Sequence, residues 1–202
     1  MEKYTFSEKT EEEALEAALS ELNVSKEDIL YETKEQKGGL FKGKKVEIIV
    51  TKKSDINEYI KDTVTKIVTD MGFDVKIETK VRDGILNLTL HSDNNNLLIG
   101  RDGKNMNALS TVVKQIIQNE LGMYYKFNLD VSNYKDKIVS RLERLAKRTA
   151  KEVLETKVPV ALDNMTSYER RIIHNALTNF KGISSDSEGE EPNRHIVIKP
   201  VK

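Results

Sequence analysis

The stretch LLIGRDGKNMNALS, residues 97–110, decides how the rest of the chain is read. Three apolar residues run into the loop Gly100-Arg101-Asp102-Gly103, and an amphipathic helical pattern begins directly behind it. Two glycines three apart at the mouth of a helix, with a cation between them, have two physical explanations. One is a tight turn, since glycine tolerates positive φ and close packing. The other is close approach of phosphates to bare amides at the positive end of a helix dipole.

The flanking segments form an ordered series. Ile56, Ile60, Val64, Ile67, Val68 and Met71 lie on one helical stripe that Gly72 ends. FDVKIETKV (73–81) and ILNLTLH (85–91) alternate as strands around an Asp83-Gly84 hairpin signal. Behind the loop, Met106, Leu109, Val112, Val113, Ile116, Ile117 and Leu121 make a second stripe, and YKFNLDV (125–131) is a third strand. Neither a G-x-G-x-x-G fingerprint nor a phosphate loop ending in Gly-Lys-Ser/Thr occurs. The order helix, strand, strand, short helix, GxxG, helix, strand over residues 53–132 resembles the type II KH domain. In that fold the loop clamps about four nucleotides of single-stranded backbone, with bases against an apolar groove. Here the groove is expected near Leu98, Ile99 and Met106. Asp102 inside the clamp argues against strong binding, and Arg101 and Lys104 flank and offset it.

Residues 1–52 read as strand, helix, strand, strand. Tyr4 and Phe6 alternate with polar residues, Ala14, Leu15, Ala18, Leu19 and Leu22 follow a helical period, and ILYET (29–33) and VEIIV (46–50) are strands. The loop KEQKGGLFKGKK (34–45) between them holds Gly38-Gly39, read as a turn, with Leu40 and Phe41 as exposed apolar residues that suit docking.

Residues 133–202 begin with a helix from about 135 to 155. Lys137, Arg141, Arg144, Arg148 and Lys151 fall within roughly ±40° of one line on it. Val139, Leu142, Ala146, Thr149 and Val153 lie opposite. VPVAL (158–162) reads as a strand, MTSYERRIIHNALTNF (165–180) as a helix opened by a Thr166–Glu169 capping box, and RHIVIKPV (194–201) as a final strand after the polar SSDSEGEEPN. Arg170 and His174 stand one turn apart at the border of the apolar face, a position that lets their stems pack while their polar ends reach a ligand.

The 202 residues carry 33 basic and 33 acidic side chains, so total charge points to no polyanionic partner. By segment the balance is −3 over 1–52, −1 over 53–132 and +4 over 133–202, which makes the C-terminal third the basic part. Zero cysteines exclude disulfides, thiolate metal sites and cysteine nucleophiles, and fit a reducing compartment. The polar start MEKYTFSEKTEEE is unlike a secretory signal, no apolar run is long enough to span a membrane, and a cytoplasmic location is expected. Nothing calls for a metal, a cofactor or a catalytic group: His174 has no nucleophile or ligand cluster at the right spacing.

The expectation is an α+β chain of three small domains: a βαββ unit (1–52), a type II KH domain with the order αββααβ (53–132), and helices on a small sheet (133–202). Arg170 and His174 match the R-x-x-x-H motif of a small single-stranded nucleic-acid module, and SEGEEPNRHIVIKP resembles its closing strand region. With a GGLFKG-type loop in front, the ordered trio resembles the Jag/KhpB family of bacterial RNA-binding proteins along essentially the whole chain. The resemblance implies a non-enzymatic cytoplasmic RNA-binding protein linked to cell elongation, cell-wall synthesis or sporulation. It implies as partners single-stranded RNA and either a smaller KH-only protein or a second copy through KH. Its site falls on Gly100, Arg101, Gly103 and Lys104 for the clamp and on Arg170 and His174 for the second motif. Arg171 and Arg194 join them by charge and proximity, and Lys137, Arg141, Arg144, Arg148 and Lys151 form either a phosphate-contact row or a solvated helix face paired with Glu152 and Glu155. Two departures stand out: family loops usually carry a neutral or basic residue where Asp102 stands, and the long charged linker many relatives place before the KH unit is missing. The alternative is an interaction scaffold. In it the KH unit dimerises, the N-terminal domain recruits a membrane or envelope protein, and binding of RNA or single-stranded DNA is incidental.

Overall fold

The computed structural model describes residues 1–36 and 45–201. Gly38-Gly39, Leu40 and Phe41 lie outside the described residues. The elements fall into three three-stranded sheets in sequence order. They group into two compact units, Met1–Ser132 and Asn133–Lys202.

The first sheet joins β1 (Tyr4–Glu8), β2 (Ile29–Gln36) and β3 (Lys45–Lys52) antiparallel in the order β1-β3-β2. One face packs on α1 (Glu11–Leu22), where Ala14, Leu15 and Ala18 meet Ile29, Ile48 and Val50. The Thr10 hydroxyl caps α1 by accepting from the Glu13 amide at 3.2 Å. Such a core is small, and a unit of this size is marginal by itself. β3 runs directly into α2 (Lys53–Asp70), with no residue between them.

α2 ends as its sequence suggests: the Gly72 amide donates to Thr69 O and the Phe73 amide to Val68 O, the paired bonds of a Schellman motif. β4 (Val75–Arg82) and β5 (Ile85–Ser92) pair antiparallel through a two-residue turn in which Asp83 (φ 51) and Gly84 (φ 70) are both left-handed. Twisted strands favour that turn, and it needs residues that accept positive φ. α3 (Asn95–Ile99), one 3-10 turn (Arg101–Gly103) and α4 (Lys104–Leu121) carry the chain to β6 (Phe127–Val131), which pairs parallel to β5. Leu86, Leu88 and Leu90 of β5 and Phe127, Leu129 and Val131 of β6 face the helices, alternating with Asn87 and Thr89 on the other side. Against them lie Ile56, Ile60, Val64 and Val68 of α2 and Met106, Leu109, Val113 and Ile117 of α4. Each fully buried aliphatic side chain contributes about 1.5–3 kcal/mol. The stripes read from sequence were too wide: Met71 and Val112 are more than half exposed.

In the second unit α5 (Tyr134–Thr156) and α6 (Ser167–Leu177) pack on a sheet ordered β7-β9-β8. Ile138, Leu142, Ala146, Ala150 and Val153 of α5 meet Ile173 and Leu177 of α6 and Ile196 and Ile198 of β9 (His195–Pro200). The strand expected over 158–162 shrinks to β7, Val160–Ala161. β8, Ile183–Glu188, is a correction: the sequence read as a polar approach to the last strand, yet it pairs with β9 from Ile183↔Pro200 to Glu188↔His195. Its serines escape a hydrophobicity pattern because an edge strand with half-exposed residues needs no apolar alternation.

Candidate nucleic-acid interface

The first cluster lies where α3 meets α4. The Gly100 amide donates to Asn96 O at 2.9 Å and ends α3, and its φ of +70° with ψ of 177° is backbone that only glycine adopts without strain. A Cβ there would stand 2.5 Å from Cγ of Asn105, whose Nδ2 donates to the Leu97 carbonyl at 2.8 Å. Asn105 therefore fills the space that Gly100 leaves and ties the start of α4 to the end of α3. Gly103, buried and left-handed, is the N-cap of α4 and supplies no side-chain cap. The first-turn amides of an 18-residue helix are thus left without a side-chain acceptor, at the positive end of its dipole. Arg101 and Lys104 are exposed beside them. Asp102, also left-handed at φ 55, sits 3.8 Å from Arg101 Nε. Both side chains are more than half exposed, so the pair holds Arg101 only weakly.

Of the three residues around which the groove is expected, Leu98 and Met106 are 2% exposed and belong to the core, and only Ile99 is half-buried. The apolar side chain that does face outward beside the loop is Leu97, at 62%. Helical spacing alone did not tell which of two adjacent leucines on a five-residue helix turns inward.

The second cluster joins α6 to β8 and the β8–β9 connection. Thr166 and Glu169 close the capping box, with the Thr166 amide donating to Glu169 Oε2 at 2.9 Å and the Glu169 amide to Thr166 Oγ1 at 3.4 Å. His174 is exposed and its Nδ1 lies 2.9 Å from Ser185 Oγ. Arg194, half-buried, donates from Nε to Ser187 Oγ at 3.0 Å. Arg171 is exposed on the same helix as His174. Arg170 differs from its sequence reading. It is 9% exposed, and its Nη1 donates to Met165 O at 2.8 Å while Nη2 pairs with Glu191 Oε1 at 2.9 Å. Its polar end is turned into the domain instead of outward. Glu191, Ser185, Ser187 and Asn105 are the polar partners that pattern reading did not single out, because each is defined by a contact across many residues.

Lys137, Arg141, Arg144, Arg148 and Lys151 are all exposed along α5. From first to last they span about 21 Å of helix at ~1.5 Å per residue. Arg144 Nε donates to Ser140 O at 3.1 Å within its own helix. Across β8 and β9, Lys199 pairs with Asp186 at 3.4 Å and with Glu188, and the bond to Glu188 holds its pKa above the usual lysine value. That cation is matched by two carboxylates and adds no net attraction for an anion. Among the described residues no group of three His, Cys, Asp or Glu side chains could hold a metal, and no helix is long and apolar enough to cross a membrane.

Three family models match the chain in order: the Jag N-terminus over residues 6–52, the KH domain of KhpA/KhpB over 57–129 and the R-x-x-x-H domain over 140–200. A protein of Clostridium symbiosum named "RNA-binding protein KhpB" is 33% identical over 98% of this chain and 91% of its own length. The chain belongs to the KhpB family. A KhpB of Bacillus subtilis (strain 168) is 31% identical over 98% of both chains. A third, from Lactiplantibacillus plantarum, is also 31% identical but aligns with 68% of this chain and 42% of its own length. In KhpB terms the first cluster lies within the span of the KH model and the second within that of the R-x-x-x-H model. Both are binding modules, so the chain is not an enzyme.

Proposed function

We propose that the chain is a single-stranded RNA-binding regulatory protein that holds RNA with two modules. The observation that carries this reading is the mouth of α4, a glycine N-cap with no side-chain acceptor and exposed Arg101 and Lys104 beside it, set within an αββααβ unit. Phosphates take the place of the missing cap acceptor, with Gly100 and Gly103 giving the loop its shape. In the second module His174, Arg171 and Arg194 offer donors on one side of the domain, Arg170 belongs to the same motif, and the α5 cations supply phosphate contacts further along. Two weak modules on one chain raise avidity by roughly 10²–10⁴ when both engage the same strand. That accounts for useful binding by a chain of zero net charge with an acidic residue in its clamp. The names of the relatives and the KH and R-x-x-x-H family models support RNA as the ligand.

The domains are 1–52, 53–132 and 133–202, the protein works in the cytoplasm, and its role lies in control of cell elongation, cell-wall synthesis or sporulation. A smaller KH-only protein or a second copy is its partner through KH. Asp102, exposed in the loop, favours a second reading: an interaction scaffold whose N-terminal domain docks a membrane or envelope protein while RNA or single-stranded DNA binds weakly.

Fluorescence anisotropy with a roughly 15-nucleotide single-stranded RNA at several salt concentrations tests the main reading. Arg101→Gln with Lys104→Gln, and separately Arg194→Ala, should each weaken binding while leaving thermal unfolding unchanged. Unaltered affinity in both variants would leave the scaffold as the better account.

A further inference from the structure

We propose that Arg170 does not touch RNA but is a positioning residue, acting through Glu191 and Met165 to set the backbone that presents Arg194. The proposal rests on the reading of the R-x-x-x-H module as an RNA-binding unit and assigns different work to Arg170 and Arg194.

Arg170 is poorly placed to receive a phosphate. An incoming anion would have to displace a carboxylate at 2.9 Å and a carbonyl at 2.8 Å from a side chain that is 10% exposed. Charge-assisted bonds of this length are the strong ones. The same anion would first meet Glu191, whose side chain is 62% exposed, so from outside the pair presents no net positive charge.

What Arg170 does hold is a short bridge of backbone. The Met165 carbonyl takes its Nη1, and the Met165 amide donates to the Arg194 carbonyl at 3.1 Å. Nη2 holds Glu191 on the β8–β9 connection, where the Asn193 amide donates to Glu190 O at 2.8 Å. Asn164 Nδ2 donates to Asn193 Oδ1 at 3.1 Å and ties the same two segments once more. Arg194 therefore leaves a backbone braced from both sides by one guanidinium. Its Nε rests on the neutral Ser187 hydroxyl. No ion pair with Arg194 is present among the described residues, and its charge remains available to a phosphate.

Glu191 makes the two roles of Arg170 distinguishable, because they predict opposite signs. Removing an acid near an RNA site ordinarily tightens binding. If Arg170 were an RNA contact masked by Glu191, Glu191→Ala would release it and affinity would rise. If Arg170 and Glu191 are a brace, Glu191→Ala loosens the Arg194 backbone and affinity falls. Anisotropy with the full chain and a roughly 15-nucleotide RNA reads this directly. Glu191→Ala should weaken binding about tenfold, within the range for residues coupled in one hydrogen-bond network. Glu191→Gln, which keeps an oxygen to accept from Nη2, should recover most of that loss. In an Arg194→Ala background Glu191→Ala should cost nothing more. Unchanged or tighter binding by Glu191→Ala, or a full extra loss in the Arg194→Ala background, overturns the proposal. If Arg194→Ala alone leaves RNA binding intact, the reading of the R-x-x-x-H module fails first and the brace falls with it. Should Glu191→Ala lower the melting temperature so far that the fold is lost at the assay temperature, Glu191→Gln carries the test: affinity at or slightly below wild type supports the brace, and tighter binding overturns it.

Discussion

Asn105 occupies the place where a side chain on Gly100 would stand: its Cγ lies 2.5 Å from that position while its Nδ2 bonds to Leu97 O. The first glycine of the loop is therefore demanded by the protein's own packing before any ligand arrives. Gly100→Ala should cost about 1–3 kcal/mol from backbone strain, to which displacement of Asn105 adds. Asn105→Ala, which loses one hydrogen bond, should cost about 1 kcal/mol. Denaturant unfolding of the two variants and of the double mutant measures both terms. Because the residues share one contact, the double mutant should lose less than the singles together.

The acidic residue in the clamp should restrain binding through charge alone. Asn tolerates the left-handed conformation that Asp102 adopts, so Asp102→Asn removes the charge without reshaping the loop. Affinity for single-stranded RNA should rise by roughly a factor of three at low salt, and the gain should fade as salt screens it. A decrease would mean that the carboxylate contributes a contact of its own.

The α5 cations should act on salt dependence more than on stability. Arg144 and Arg148 are exposed, so substituting both by Gln should change folding stability by no more than about 0.5 kcal/mol each. If each contacts a phosphate, the slope of log affinity against log salt should fall by about 0.7 per residue. An unchanged slope would make the row an ordinary solvated face.

Tyr125 should make the fold sensitive to alkali. It is 9% exposed, its hydroxyl donates to Asn57 Oδ1 at 3.0 Å, and burial raises its pKa above the usual tyrosine value. The unfolded chain then releases this proton at a lower pH than the folded one. Its contribution is complete below the ordinary phenol pKa of about 10 and is lost as pH rises through the folded value. Thermal melts between about pH 8 and about pH 11 should show a steeper fall for wild type than for Tyr125→Phe. The variant itself should be about 1 kcal/mol less stable at neutral pH for want of the bond to Asn57.

Local chemistry made much of this legible in advance. The Asp83-Gly84 turn, the Schellman ending at Gly72 and the Thr166–Glu169 capping box are each written within a few consecutive residues, because turns and caps are closed by neighbours in sequence. The alternation Leu86, Leu88, Leu90 announced a strand with one buried face. β8 was missed for the converse reason, since Ser184, Ser185 and Ser187 gain their strand geometry only by pairing with β9.

Apart from β8, the order of elements and the position of a glycine loop between two helices were therefore determined by the sequence alone, through periodicity and hydrogen bonds that reach only a few residues. That Arg170 turns inward while Arg194 keeps a charge without an ion pair among the described residues was decided by tertiary structure. Arg170 and Glu191 are 21 residues apart, and no local rule sets the direction of a long side chain at the border of an apolar face. A carboxylate brought close by the β8–β9 hairpin turned Arg170 inward and left Arg194 with only a neutral hydroxyl.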